Sequence, residues 1–61
     1  MSHLNQVELQ NLRHLIGAHD TAYAKMQSYA QQAQDPQVRS FFERCAQDAQ
    51  KTKQKLMSFL G

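Results

Sequence analysis

The sequence of 61 residues contains one cysteine, one proline, two glycines and no tryptophan. Because Cys45 has no second cysteine to pair with, an intrachain disulfide is excluded. No segment approaches the roughly 18 consecutive apolar residues of a membrane-spanning helix. The chain also does not begin with the charged and then apolar pattern of a secretory leader. We therefore expect an intracellular protein without a membrane partner.

Charge of either sign is scarce as well. Seven lysines and arginines against five acidic residues leave a net charge of +2, which is too small to indicate nucleic-acid binding unless the basic residues are concentrated. The one candidate patch, Lys51, Lys53 and Lys55, lies near the end of a predicted helix. Cations there interact favourably with the helix dipole. We predict no nucleic-acid partner.

The sequence lacks the residue combinations that most enzymes need. It contains no glycine-rich phosphate loop and no nucleophile beside a paired acid and base. A reactive thiol needs positive charge nearby, whereas the helical neighbours of Cys45 are apolar, so we interpret this residue as a small buried hydrophobe. We predict a protein that is not an enzyme, has no catalytic residues and uses no cofactor.

Signals for helix boundaries are clear. The only break in the chain falls at Asp35 and Pro36, where proline favours the first position of a new helix and the aspartate can cap it. Upstream, Asn5 followed three residues later by Glu8 indicates a capping box, with Ser2 as a competing start one turn earlier. Each helix therefore has an identifiable beginning.

No run of β-branched or aromatic residues alternates with the period of two that a strand requires. We predict an all-α protein with a single domain over residues 1–61. Helix one covers about 5–33 and helix two about 36–60, and the short connection makes them an antiparallel two-helix hairpin.

Apolar side chains recur at alternating steps of three and four along both predicted helices, which is the heptad pattern of packed helices. In helix one this seam comprises Leu9, Leu12, Ile16, His19, Tyr23, Met26, Ala30 and Ala33. In helix two it comprises Val38, Phe42, Cys45, Ala49, Thr52, Leu56 and Phe59. Further apolar side chains flank the two seams: Leu15, Ala22, Tyr29, Phe41, Ala46 and Leu60.

A lone hairpin would leave part of so broad a stripe in water. Two chains can bury it together, so we predict a homodimer in which two hairpins form a four-helix bundle with helices crossing near 20°. The predicted core and dimer interface comprises Leu9, Leu12, Leu15, Ile16, His19, Tyr23, Met26, Phe41, Phe42, Cys45, Ala49, Leu56 and Phe59. Gly17 marks either a close helix crossing or a tolerated defect inside helix one.

Two polar residues lie on or beside the seam. His19 is either a metal ligand or, as we favour, a core histidine hydrogen-bonded to Tyr23 or to a group on the facing helix. If His19 binds a metal, Asp48 on helix two is the natural second ligand. The plainer interpretation of Asp48 is a rim carboxylate that pairs with Arg44 or with a nearby lysine, Lys51 or Lys55.

Five segments carry a resemblance to a known family: NLRHLIGAHD at 11–20, YA at 29–30, DP at 35–36, FF at 41–42 and TKQKLMSFL at 52–60. They resemble the short spore coat proteins of the coat F type, and the likeness covers nearly the whole chain. The resemblance implies a spore-forming bacterium, a hairpin related to the ferritin-like fold, and deposition in the coat or another sporulation layer beside other coat proteins.

In the wider ferritin-like and rubrerythrin group, such a hairpin carries a metal-binding Glu on its first helix and a Glu-x-x-His on its second. The resemblance places His19 at the first Glu, Asp48 at the second and Lys51 at the histidine. A protonated lysine has no lone pair and repels cations. The implied di-iron site is therefore disabled, and we predict no metal ligands.

The leading hypothesis is a non-catalytic structural protein of the spore coat that self-associates through its apolar seam in a ferritin-like four-helix bundle. The alternative is a metal-binding ferritin-like protein with a degenerate site, formed across a dimer by two copies of His19 and Asp48. A third hypothesis is a regulatory adaptor whose hairpin pairs with the helices of another protein.

Overall fold

A computed structural model describes residues 3–61. The chain forms two α-helices, α1 (Gln6–Gln32) and α2 (Pro36–Ser58), which pack against each other as a hairpin 46 Å long, 15 Å wide and 10 Å deep. The described residues contain no strand. The predicted all-helical hairpin is thus confirmed.

The boundaries of both helices follow from capping interactions. Asn5 accepts a hydrogen bond from the backbone N–H of Glu8 at 2.8 Å, and the Glu8 carboxylate accepts one from the Asn5 N–H at 3.2 Å. The Asp35 carboxylate accepts from the N–H groups of Gln37 and Val38 at 2.8 and 3.1 Å. Both predicted caps are confirmed, and they satisfy backbone donors that a helix start leaves unpaired. Ser2, the competing start, lies outside the described residues.

The connection between the helices is stabilised by a residue of α2. The last turn of α1 contains no basic residue, although positive charge is favourable at the end of a helix. Arg39 supplies it, because its guanidinium donates a hydrogen bond of 3.1 Å to the Ala33 carbonyl. The turn is therefore held by the Asp35 cap on one side and by Arg39 on the other.

The most buried positions of the hairpin carry small side chains. Ala30 and Ala46 are the only buried residues among 3–61, at 5% and 3% exposure. Every larger apolar side chain that faces the other helix is only half-buried. A hairpin of two helices therefore lacks a core in the usual sense, because each helix can cover only one stripe of the other.

The stripe of α2 that faces α1 differs in phase from the expected heptad. It comprises Phe42, Ala46, Ala49, Lys53 and Leu56, again at alternating steps of four and three. The α2 helix is rotated so that the small Ala46 faces α1, and this rotation leaves Val38, Thr52 and Phe59 exposed. Apolar side chains that the heptad pattern predicts for the seam therefore lie on the outer surface of the hairpin.

Gly17 provides a first prediction. A Cβ atom at this position would meet nothing within 4 Å, so no close helix crossing within the chain requires glycine there. We expect Gly17→Ala to raise the free energy of unfolding by up to about 1 kcal/mol, because alanine has the higher helix propensity. Urea unfolding followed by circular dichroism measures this, and Ala18→Gly, at the exposed neighbouring position, should lower stability by a similar amount. A destabilised Gly17→Ala protein would contradict the prediction.

Candidate interaction surface

One side of the hairpin is apolar. On α1 it is formed by Leu15, Ala22 and Tyr29, and on α2 by Val38, Cys45, Thr52 and Phe59, in both cases at steps of seven residues that keep side chains on one side of a packed helix. Phe41 lies between Val38 and Cys45 on the surface of α2. We call this surface the apolar face: Leu15, Ala22, Tyr29, Val38, Phe41, Cys45, Thr52 and Phe59.

Two aromatic residues of the apolar face, Tyr29 and Phe41, are joined through Phe42. The ring of Phe42 lies 5.4 Å from that of Tyr29 and 5.9 Å from that of Phe41, between ring centroids, in tilted and edge-on arrangements that aromatic pairs prefer. A shallow groove beside this cluster is lined by Tyr29, Gln32, Ala33, Val38 and Phe42. Phe41 nevertheless remains 57% exposed, and Tyr29 remains 43% exposed.

The opposite side is polar. A second groove is lined by Gln27 and Gln31 from α1 and by Arg39, Glu43 and Gln47 from α2, together with Tyr23, Ala30 and Ala46. The Gln27 amide donates a hydrogen bond of 2.7 Å to the Tyr23 hydroxyl. We call this surface the polar face: Tyr23, Gln27, Gln31, Arg39, Glu43 and Gln47. The two grooves have no residue in common.

An ion pair joins the helices toward the open end of the hairpin. The Lys53 ammonium lies 2.8 Å from the Asp20 carboxylate, and this pair is the only salt bridge among residues 3–61. Lys53 occupies a position of the inward stripe, where its side chain is 23% exposed. The sequence alone predicts an interaction of this lysine with the helix dipole and does not predict the pair with Asp20. The signal available was an acidic residue next to the seam of one helix and a basic residue next to the seam of the other.

His19 is half-buried and uses its own helix as a partner. Its Nδ1 lies 2.8 Å from the Leu15 carbonyl. Since a carbonyl only accepts, Nδ1 carries the proton and Nε2 keeps a lone pair in the neutral ring. The expected partners, Tyr23 or a group on the facing helix, are therefore not the ones observed.

Asp48 is exposed and forms no salt bridge within the described part of the chain, so the expected pairing with Arg44, Lys51 or Lys55 is not observed. No group of three or more His, Cys, Asp or Glu side chains among residues 3–61 is close enough to hold a metal ion. A metal site built from His19 and Asp48 would need a second chain, and it stays a prediction.

The residues predicted for the core and dimer interface fall into two groups. Ten are half-buried: Leu9, Leu12, Ile16, His19, Tyr23, Met26, Phe42, Cys45, Ala49 and Leu56. Three are exposed and belong to the apolar face: Leu15, Phe41 and Phe59. The first group fills the space between α1 and α2, with Cys45 at its border, and the second is available to another molecule.

The chain matches no protein-family model, no curated protein and no solved structure. Within residues 3–61, neither helix has the length and apolar character needed to cross a membrane.

The ion pair provides a second prediction. A double-mutant cycle with Asp20→Asn and Lys53→Met should give a coupling free energy of about 0.2–1 kcal/mol, because the pair is partly exposed. The coupling should shrink as salt is raised toward 1 M, where the Debye length is about 3 Å. Asp48→Asn with Lys53→Met serves as the control and should show no coupling. A coupling that does not respond to salt would argue against the pair.

Proposed function

We propose that this protein is a non-catalytic structural component that functions by self-association. The observation that carries the proposal is its surface area of 4925 Å². A compact monomer of 7.0 kDa exposes about 4,000 Å², so the hairpin exposes roughly 900 Å² more than its mass requires. Of the eight large apolar side chains that remain exposed among residues 3–61, five belong to the apolar face, and three, Val7, Met57 and Leu60, lie outside it. Clustering on one side is what distinguishes an interface from scattered surface hydrophobes.

Several polar groups of the hairpin support a structural role because they hold its helices and its turn together. Asn5 and Asp35 cap the helices, Arg39 binds the end of α1, and Asp20 and Lys53 join the two helices. Groups that act in catalysis usually converge on a cleft instead. We therefore propose a scaffold and not an enzyme.

We propose further that the layer it builds is the bacterial spore coat, in the ferritin-like arrangement of two hairpins. Support comes from the resemblance of segments 11–20, 35–36 and 52–60 to coat proteins of the coat F type. In the structure, segment 35–36 caps and opens α2, and segment 52–60 carries Lys53 and Leu56 of its inward stripe. Both segments therefore have structural roles in the hairpin.

Self-association provides a third prediction. At micromolar concentration we expect a dimer by sedimentation equilibrium, with a midpoint of thermal unfolding that rises with protein concentration because dissociation and unfolding are linked. Ile16→Asp, in the half-buried seam, should dissociate and unfold the chains together. Val7→Asp changes a residue that is 66% exposed and should leave both properties unchanged. A fully helical monomer with a midpoint independent of concentration would refute self-association.

The coat role provides a fourth prediction. In a spore-forming host, antibody against the protein should detect it in the coat fraction of purified spores and not in vegetative cells. Ile16→Asp protein, made at the same time, should be missing from that fraction, whereas Val7→Asp protein should be retained. Equal amounts in vegetative cells, with none in the coat, would contradict the assignment and favour a general adaptor.

A further inference from the structure

We propose that a second copy of this chain docks on the apolar face, and that the polar face remains on the outside of the resulting dimer. This inference depends on the proposed self-association and specifies its surface. The heptad pattern of the sequence predicts one seam for the contacts within a chain and for the contacts between chains. The structure separates the two sets, because the residues that face the other helix are half-buried and those of the apolar face are largely exposed.

The surface of the whole hairpin is large enough for a second copy to cover part of it. A typical stable interface buries about 800 Å² on each partner, and the hairpin, counted over all its sides, exposes roughly 900 Å² more than a compact chain of its mass. The largest exposed aromatic side chains, Phe41 at 57% and Phe59 at 46%, both lie on the apolar face. Aromatic residues are enriched in protein interfaces relative to the rest of a protein surface.

The other surfaces of the hairpin are less suited to burial. The polar face contains Arg39 and Glu43, and burying such charges without new partners carries a large desolvation cost. The outer surface of α1 carries the exposed Val7, but the positions that follow at steps of seven are His14, Thr21 and Ser28. Val7 is therefore an isolated apolar residue, and it provides a control.

The size of the side chains along the apolar face favours another helical hairpin as the occupant. The contacts between Tyr29 and Phe42 and between Asp20 and Lys53 fix the alignment of the helices, and they place Ala22 and Cys45 near the middle of the face. Bulky residues occupy its two ends: Tyr29, Val38 and Phe41 near the turn, and Leu15 and Phe59 near the open end.

Two helical layers that cross at about 20° are closest at their centre and diverge toward their ends. Small residues in the middle allow that close approach, and bulky residues at the ends fill the widening gap. An identical copy presents the same pattern in reverse, and a two-fold arrangement therefore matches the face with itself. A lipid surface offers no such complementary shape.

Charge substitutions on the two faces test this inference. Phe41→Glu on α2 and Leu15→Glu on α1 alter side chains that are 57% and 43% exposed in the single chain, so the hairpin should tolerate them. Each should weaken dimerisation at least about 30-fold, the loss typical of an interface hot spot. Val7→Glu on the outer surface and Gln47→Glu on the polar face should leave the dimerisation constant unchanged. Sedimentation equilibrium measures the constant, and circular dichroism shows whether each variant keeps its helices.

The possible outcomes separate the two proposals. If the unsubstituted protein is monomeric at every concentration, self-association itself fails. If it dimerises but Phe41→Glu and Leu15→Glu have no effect, or Gln47→Glu dissociates it instead, self-association stands and the apolar face is the wrong surface. If a monomeric protein binds phosphatidylcholine and phosphatidylglycerol vesicles and Phe41→Glu abolishes that binding, the occupant is a membrane and not a second copy.

Discussion

The packing of α1 against α2 around the buried Ala30 and Ala46 is the contact on which the rest of the structure depends. The rotation of α2 that places Ala46 inward also decides which larger residues face solvent. Val38 and Phe59 are exposed for that reason, although their spacing suits an inward seam. The contact between the two helices and the apolar outer surface both follow from this rotation of α2.

The two ends of the hairpin are held by different interactions. At the turn, backbone groups of both helices are satisfied by Asp35 and Arg39. Toward the open end, Lys53 reaches Asp20 from an otherwise inward position. Its aliphatic stem can cover apolar surface while its ammonium stays at the rim. Charge is not confined to this pair, because the Lys55 ammonium lies 5.5 Å from the centroid of the Phe59 ring and therefore borders the apolar face.

Local signals made the helices predictable, because a cap depends on residues that are neighbours in sequence. Asn5 with Glu8 and Asp35 with Pro36 identified both helix starts, and the observed helices begin at Gln6 and Pro36. The rotation of α2 was not predictable in the same way. Two heptad series share Phe42, Ala49 and Leu56, and they differ in whether Cys45 or Ala46 faces inward. Which of the two faces inward depends on the sizes of the side chains on both helices. The periodicity of one helix carries no information about the side chains of the other.

The hydrogen bond from Arg39 to the Ala33 carbonyl makes the end of one helix depend on the start of the next. The last turn of α1 carries no cation of its own. Arg39 lies six residues after the carbonyl that it binds, in the first turn of α2. The C-terminus of α1 therefore gains its positive partner only in a chain whose second helix has also begun, and a substitution of Arg39 would loosen both helices at the turn.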